Sequence, residues 1–162
     1  MNKKAQFFPL KDDNPRERFP FVNFLFIITN IIVFIFSLGA FEQFIGDYGF
    51  KPVQFSILTV FTSMFLHGGI AHIFGNMWFL YIFGDNVEDL MGTTWFLTIY
   101  FLGGILGFLF ARIMGAPSLP HIGASGAIAA LMGAYFLLFP KARFGIRVLF
   151  VYYFTISSTY YF

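Results

Sequence analysis

Cysteine is absent from the 162-residue chain, so neither a disulfide framework nor a thiolate metal site can form. Charged side chains are also scarce: they make up 11% of the sequence, whereas a soluble domain carries roughly 25%. The net charge of +2 gives no indication of nucleic-acid binding, and we expect no nucleic-acid partner. No cleavable signal peptide is expected, because the first twenty residues are polar and the apolar run after them is too long for an h-region.

Histidine occurs only three times, as His67, His72 and His121, and none follows Ser125. The His-Glu-x-x-His pattern of zinc proteases does not occur, and the five-residue spacing of His67 and His72 would turn their rings away from each other on a helix. The main apolar runs contain no carboxylates and the chain shows no inverted repeat, which argues against a small transporter. We therefore predict no metal site.

Apolar residues dominate the composition: 58% of the chain is hydrophobic, including 27 Phe, which suits lipid-facing surfaces. Several runs approach the roughly twenty residues that cross a bilayer. They extend over about Phe21 to Ala40, Ser56 to Phe83, Trp95 to Met114 and Gly123 to Phe139, and a further apolar stretch runs from about Ile146 to Phe162. The predicted fold is an all-α, polytopic membrane helix bundle with four complete transmembrane helices and the start of a fifth. The acidic segment from Gly84 to Gly92 is predicted to be a turn.

Basic residues are distributed unevenly around these runs. Eight of the ten fall on one side of the membrane if four spans separate them: Lys3, Lys4, Lys11, Arg16 and Arg18 before the first span, and Lys141, Arg143 and Arg147 after the fourth. The positive-inside rule places both regions in the cytoplasm, so the fourth span begins toward the outer side. We expect residues 1–20 to be a cytoplasmic N-terminal segment and residues 21–162 to be one membrane domain.

Ser125 lies in Gly123-Ala124-Ser125-Gly126, where a turn-forming stretch leads into an apolar run of small residues. A hydroxyl at this point would lie near a helix N-terminus, whose first amides have no intrahelical partners and could bind an oxyanion. Gly123 and Gly126 would let a substrate backbone approach closely. The motif alone is weak evidence, because small residues at intervals of four also indicate tight helix packing in membranes.

His72 and Asn76 are four residues apart in the second run and therefore share one helical face. Both side chains can donate hydrogen bonds to an oxygen anion, and polar groups inside membrane segments favour a functional site. The alternative is an interhelical polar contact. His67 is interpreted as a residue at the cap or mouth of its span, and His121 as either a nearby base for Ser125 or a solvated loop residue.

Three motifs together resemble the bacterial rhomboid intramembrane serine proteases. The stretch from His67 to Gly92 is similar to their second span, and the stretch from Gly123 is similar to the span that carries their nucleophile. The matching residues are His72 and Asn76 for His-x-x-x-Asn, Gly84, Glu88 and Gly92 for Gly-x-x-x-Glu-x-x-x-Gly, and Ser125 within Gly-Ala-Ser-Gly. The resemblance covers about Phe21 to Phe162.

The resemblance implies a six-helix core and an endopeptidase that cleaves transmembrane helices of membrane proteins near the outer face. Ser125 would be the nucleophile, and His72, Asn76 and the Ser125 amide would line the oxyanion hole. The supporting positions are Gly123, Gly126, Gly84, Glu88 and Gly92. No metal or organic cofactor is implied, the partners are the lipid bilayer and transmembrane substrates, and the expected location is the bacterial cytoplasmic membrane. From its own chemistry, Glu88 could accept hydrogen bonds from neighbouring loops or be a solvated acid.

The family's general base is a histidine in a sixth span, and the 162 residues contain no such histidine. The position four after the nucleophile, often aromatic in the family, is Ala129. Two hypotheses follow: a rhomboid endopeptidase of which this chain is a C-terminally incomplete part, and a rhomboid-like pseudoprotease that binds membrane helices without hydrolysing them.

Overall fold

The computed structural model describes residues 6–12, 17–114, 120–140, 143–147 and 153–157. Six α-helices form its main body: α1 Phe21–Ser37, α2 Phe41–Tyr48, α3 Ile57–Thr62, α4 Ile70–Phe79, α5 Asp85–Met114 and α6 Ser125–Leu138. A π-helical turn, Leu80–Gly84, joins α4 to α5, and 3-10 turns follow α1 and α3. Three short strands complete the described structure: β1 Gln6–Asp12, β2 Arg143–Arg147 and β3 Tyr153–Ser157.

Helix α1 has the opposite polarity pattern to a helix of a soluble protein. Its exposed positions include Ile28, Ile32 and Ile35, whereas Asn23 and Asn30 are fully buried. Asn30 donates its side-chain amide to the carbonyl of Phe26 at 2.8 Å, which satisfies that donor within the helix. An apolar outer face and a partly polar inner face fit a helix that is surrounded by hydrocarbon.

Gly92 divides the longest helical stretch, Ile70–Ile113, into two parts. Its φ of +80° and ψ of 164° are non-helical and favour glycine, so the chain bends there although helix continues on both sides. Gly84, before the bend, packs against Asn23 at the start of α1, whereas Phe108, after the bend, packs against Phe50. The chain therefore runs across the bundle before Gly92 and back again after it.

The predicted turn from Gly84 to Gly92 was wrong in extent, because the structure places Asp85 to Met91 in helix and confines the reversal to Gly92. Among the described residues, two helical stretches are long and apolar enough to cross a membrane, Phe21–Tyr48 and Ile70–Ile113. The fourth predicted span is the shorter apolar helix Ser125–Leu138. The predicted helix bundle is confirmed at this level.

Helix α6 packs against the second half of α5 through small residues on both sides. A Cβ added to Gly103 would collide with the Cβ of Ala130, and one added to Gly107 would lie 3.0 Å from the Cα of Gly126. Such close backbone contact is what small residues at four-residue intervals permit in membranes. Two further small residues of α6, Ala129 and Gly133, are exposed and lie on a face that does not contact α5 in the described structure.

The terminal segments form a small sheet in the order β1-β2-β3, with both pairs antiparallel. The sequence predicted the start of a fifth helix from about Ile146, and strands β2 and β3 correct that prediction over the residues they cover. Aromatic and β-branched residues in these segments favour strands: Phe144, Ile146, Tyr153, Thr155 and Ile156. The segments 148–152 and 158–162 lie outside the described residues, as do Lys3, Lys4, Arg16 and Lys141.

Candidate active site

Ser125 is the first residue of α6, and its side chain is exposed. The loop that leads to it is held by backbone hydrogen bonds to the segments around Phe50 and Ser63. Phe50 and His121 exchange N–H···O bonds of 3.1 and 2.8 Å, and the Gly123 amide donates to the carbonyl of Ser63 at 2.8 Å. Because Gly123 adopts a φ of +112°, a conformation that other residues rarely accept, the loop can turn directly into the helix.

His72 and Asn76 lie on α4, one turn apart. The Asn76 side-chain amide donates to the carbonyl of His72 at 2.9 Å, which leaves its second N–H available, since a carboxamide nitrogen carries two donors. The amide of Gly68 donates to Nδ1 of His72 at 3.1 Å. The side chains of both residues are therefore oriented by backbone groups of their own segment.

One open groove of about 430 Å³ brings the three predicted polar residues together. It lies between α4 and α6, and Ser125, His72 and Asn76 line it together with Ala71, Gly75, Phe79, Ile128, Ala129 and Met132. The His72 ring reaches across to the loop: a Cβ built on Gly123 would lie 2.8 Å from its Nε2. A hydroxyl and two donor side chains thus share one apolar-walled groove.

His121 lies on the other side of Ser125. The two residues line a second cavity of about 160 Å³, between the loop and the glycine-rich face of α5. Nε2 of His121 is buried and has no hydrogen-bond partner among the described residues, and the structure records no hydrogen bond between His121 and Ser125 there. The structure therefore brings His121 near the serine without coupling the two side chains.

His67 contradicts the predicted separation of the two upstream histidines. The prediction assumed one continuous helix, but His67 lies in the irregular segment before α4, so its ring meets that of His72 edge-on, with centroids 5.1 Å apart. His67 is fully buried. Within the described part of the chain, no group of three or more metal-ligating residues occurs.

Glu88 and the flanking glycines lie at the opposite end of the bundle from Ser125. The buried Glu88 carboxylate accepts hydrogen bonds from the amides of Val22 (3.1 Å) and Asn23 (2.7 Å) and from the Thr93 hydroxyl (3.0 Å). A carboxylate at the first turn of α1 satisfies amides that have no partner within the helix and complements the positive end of the helix dipole. Gly84 leaves room for Asn23, and Gly92 provides the bend.

Sequence reasoning missed several hydrogen-bonding groups that hold the helices and the site residues in position. Asp89 accepts hydrogen bonds from the amides of Glu17 and Arg18 at 2.8 and 2.6 Å, which ties the segment before α1 to α5. The Gly68 amide and the Ser63 carbonyl orient the site through the backbone, and backbone groups leave no signal in a sequence pattern.

A family model described as "Rhomboid domain" matches residues 54–161, which is more than half of the chain and includes the groove. The chain belongs to the rhomboid family. Together with the long apolar helices, this membership makes it an integral membrane protein.

Individual rhomboid relatives are similar over half to three quarters of the chain. YdcA of Bacillus subtilis (strain 168) is 26% identical over 74% of this chain and 63% of its own length. Rhomboid protein 1, mitochondrial, of Saccharomyces cerevisiae is 29% identical over 75% of this chain and 38% of its own. Inactive RHOMBOID-like protein 8 of Arabidopsis thaliana is 37% identical over 48% of this chain and 22% of its own length. The chain thus spans less than two thirds of the length of these curated relatives, which include a protein named inactive.

Proposed function

We propose that this chain is the core of an intramembrane serine endopeptidase that cleaves transmembrane helices of other membrane proteins near the outer face. The observation that carries the proposal is the single groove lined by Ser125, His72 and Asn76. A binding surface for helices needs no hydroxyl at a helix N-terminus facing two hydrogen-bond donors. Peptide hydrolysis through an acyl-enzyme needs both.

In the proposed reaction the Ser125 hydroxyl attacks the scissile carbonyl carbon, and its proton passes to a general base. The carbonyl oxygen becomes an oxyanion, which would be stabilised by His72 Nε2–H, by the second N–H of the Asn76 amide and by the Ser125 backbone amide. Collapse of the tetrahedral intermediate expels the amine, which takes up a proton, and water then hydrolyses the ester. Every donor is a neutral group on a helix, so little reorganisation accompanies the appearance of charge.

Access of water also fits the proposal. Helix α6 has 14 residues, which at 1.5 Å per residue cover about 21 Å, less than the about 30 Å of a hydrocarbon core. If its C-terminal end reaches the cytoplasmic boundary, Ser125 lies below the outer surface and meets water through the open groove. From the distribution of the basic residues we propose that the N-terminus lies in the cytoplasm. The similarity to YdcA of Bacillus subtilis supports a bacterial cytoplasmic membrane as the proposed location.

The general base is not assigned within these 162 residues. A serine hydroxyl without a base is a poor nucleophile at neutral pH, and Nδ1 of His72 already accepts a hydrogen bond from the Gly68 amide. Since the chain spans less than two thirds of its relatives, we propose that a segment outside these residues supplies the base histidine.

A pseudoprotease that binds membrane helices is the second candidate. It is favoured by the similarity to inactive RHOMBOID-like protein 8. The exposed face of α6 around Ala129 and Gly133 would then serve for helix binding rather than for assembly of a catalytic centre.

The test uses the protein extracted from its native membranes and measured by intact mass, then reconstituted with a model transmembrane substrate. The protease proposal expects a mass above 18.5 kDa, cleavage of the substrate, and labelling by a serine-directed phosphonate that Ser125→Ala abolishes. Binding of the substrate helix without cleavage or labelling would contradict the protease and support the pseudoprotease.

A further inference from the structure

The hydrogen bond between the Gly68 amide and the His72 ring carries information about where the ring's proton lies. A backbone N–H can only donate, so Nδ1, which lies 3.1 Å from it, must be the acceptor. In a neutral imidazole one nitrogen accepts and the other carries the proton. The structure therefore indicates that the proton of His72 is on Nε2.

Contacts around the ring oppose its rotation. Nε2 and Cε1 lie against the Cα of Gly123, where an added Cβ would approach them to 2.8 and 2.9 Å. The His67 ring packs edge-on against another side, at a centroid distance of 5.1 Å and an interplanar angle of 67°. A half-turn of the ring would place a carbon opposite the Gly68 amide and remove the hydrogen bond. Ring orientation and tautomer are thus determined together.

We propose that the Gly68 backbone amide is a positioning group that holds His72 in its Nε2–H tautomer, so that His72 acts as an oxyanion donor and cannot act as the base for Ser125. The catalytic consequence rests on the proposed protease function, whereas the tautomer itself does not. A base would have to accept the serine proton at the ring nitrogen that Gly68 does not engage, and in this tautomer that nitrogen already carries a proton. The groove therefore separates the two tasks: His72 supplies a donor, and another group must take the serine proton.

Gly68 also offers a matched pair of variants. A Cβ at this position would lie 3.5 Å from Nδ1 of His72, an ordinary contact, so Gly68→Ala keeps the amide donor at little steric cost. Gly68→Pro removes the N–H at the same position. The two variants differ in the group that the proposal invokes.

The experiment is NMR spectroscopy on the 162-residue chain labelled with ¹⁵N, in detergent micelles at a pH above the ordinary titration range of histidine. Only three histidines contribute, so the His67→Gln and His121→Gln variants are sufficient to assign the His72 signals. The wild type and Gly68→Ala should show a pyridine-type Nδ1, a pyrrole-type Nε2 and a through-bond coupling between the Gly68 amide nitrogen and Nδ1. In Gly68→Pro, the ratio of the Nδ1–H to the Nε2–H tautomer should rise about fivefold, as expected when one hydrogen bond of ordinary strength is lost.

A protonated Nδ1 in the wild type, or an unchanged tautomer ratio in a folded Gly68→Pro variant, would overturn the proposal. If Gly68→Pro does not fold, the coupling across the hydrogen bond in the wild type and Gly68→Ala decides instead, and its absence in both overturns the proposal. These spectra require no peptidase activity. A failure of the tautomer proposal is therefore distinguishable from a failure of the protease proposal.

Discussion

The His72 ring packs against the backbone of Gly123, two residues before the serine, with its Nε2 only 2.8 Å from the position that a Cβ at residue 123 would take. This contact joins α4 to the loop that carries Ser125. A methyl group added at position 123 would therefore disturb the geometry of the groove. The contact also gives a steric reason for the first glycine of Gly-Ala-Ser-Gly, in addition to its backbone conformation.

Gly123→Ala should therefore disturb the site more than the addition of one methyl group usually does. The added Cβ would collide with His72, and the φ of +112° is unfavourable for alanine, so we expect a loss of unfolding free energy of about 1–3 kcal/mol. Thermal unfolding in detergent measures that loss, and the ¹⁵N signals of His72 report whether the ring has moved. The control is Gly133→Ala, at a helical position with open space. Equal stability and unchanged His72 signals in Gly123→Ala would contradict the steric argument.

The contact between α5 and α6 should depend on small residues at specific positions. Gly103→Ala would place its Cβ against that of Ala130 and force the helices apart, at a cost of about 1–3 kcal/mol. Gly133→Ala on the exposed face should be neutral or stabilising by up to about 1 kcal/mol, since alanine is the better helix former. Circular dichroism during denaturation in mixed micelles compares the two. Similar losses in both variants would show that α6 packs on a different face.

Glu88 should act as a structural brace for α1 rather than as a surface acid. In Glu88→Ala the amides of Val22 and Asn23 and the Thr93 hydroxyl lose a buried charged acceptor, so we expect a loss of about 2–4 kcal/mol. Glu88→Gln should recover only part of it, because its amide nitrogen would face one of those donors.

The same unfolding assay tests Glu88, with proteolysis of the chain before α1 as a second readout. Asp89→Asn is the control, because Asp89 binds exposed amides and its replacement should cost about 1 kcal/mol or less. An effect of Asp89→Asn as large as that of Glu88→Ala would contradict the burial argument.

The sequence predicted the features that depend on long periodic patterns or on a shared motif. The helix bundle followed from apolar length and scarce charge, and the positions of Ser125, His72 and Asn76 followed from spacing and from resemblance. It did not predict the contact between the His67 and His72 rings. A spacing of five residues turns two side chains apart only on a continuous helix, and α4 begins at Ile70, after His67. Nor could it show that Asp85 to Met91 are helical, because a cluster of acidic residues is typical of a solvated turn. In the structure the Glu88 and Asp89 carboxylates instead accept hydrogen bonds from amides before and within α1.

His121 should prove dispensable for serine reactivity. It shares a cavity with Ser125 but no hydrogen bond joins the two in the described structure, and its backbone is held by Phe50. We expect the 162-residue chain to label poorly with serine-directed phosphonates, and His121→Ala to leave labelling of the native protein within about twofold of wild type. Strong labelling of the 162-residue chain that His121→Ala abolishes would identify His121 as the base.

Replacement of His72 should show whether this residue acts as an oxyanion donor or as the general base. Glutamine carries an N–H donor but cannot accept a proton at neutral pH, whereas leucine fills a similar volume without either property. If His72 only donates to the oxyanion, His72→Gln in the native protein should retain part of the phosphonate labelling rate, and His72→Leu should lose about 10²–10³-fold, the usual cost of one oxyanion-hole donor. Asn76→Ala should fall in the same range, because it removes the other side-chain donor of the groove. The opposite result would be an equal loss in His72→Gln and His72→Leu, together with a wild-type labelling rate that follows the titration of His72. That result would assign the base to His72 and contradict the inference, from its hydrogen bond to Gly68, that His72 acts only as a donor.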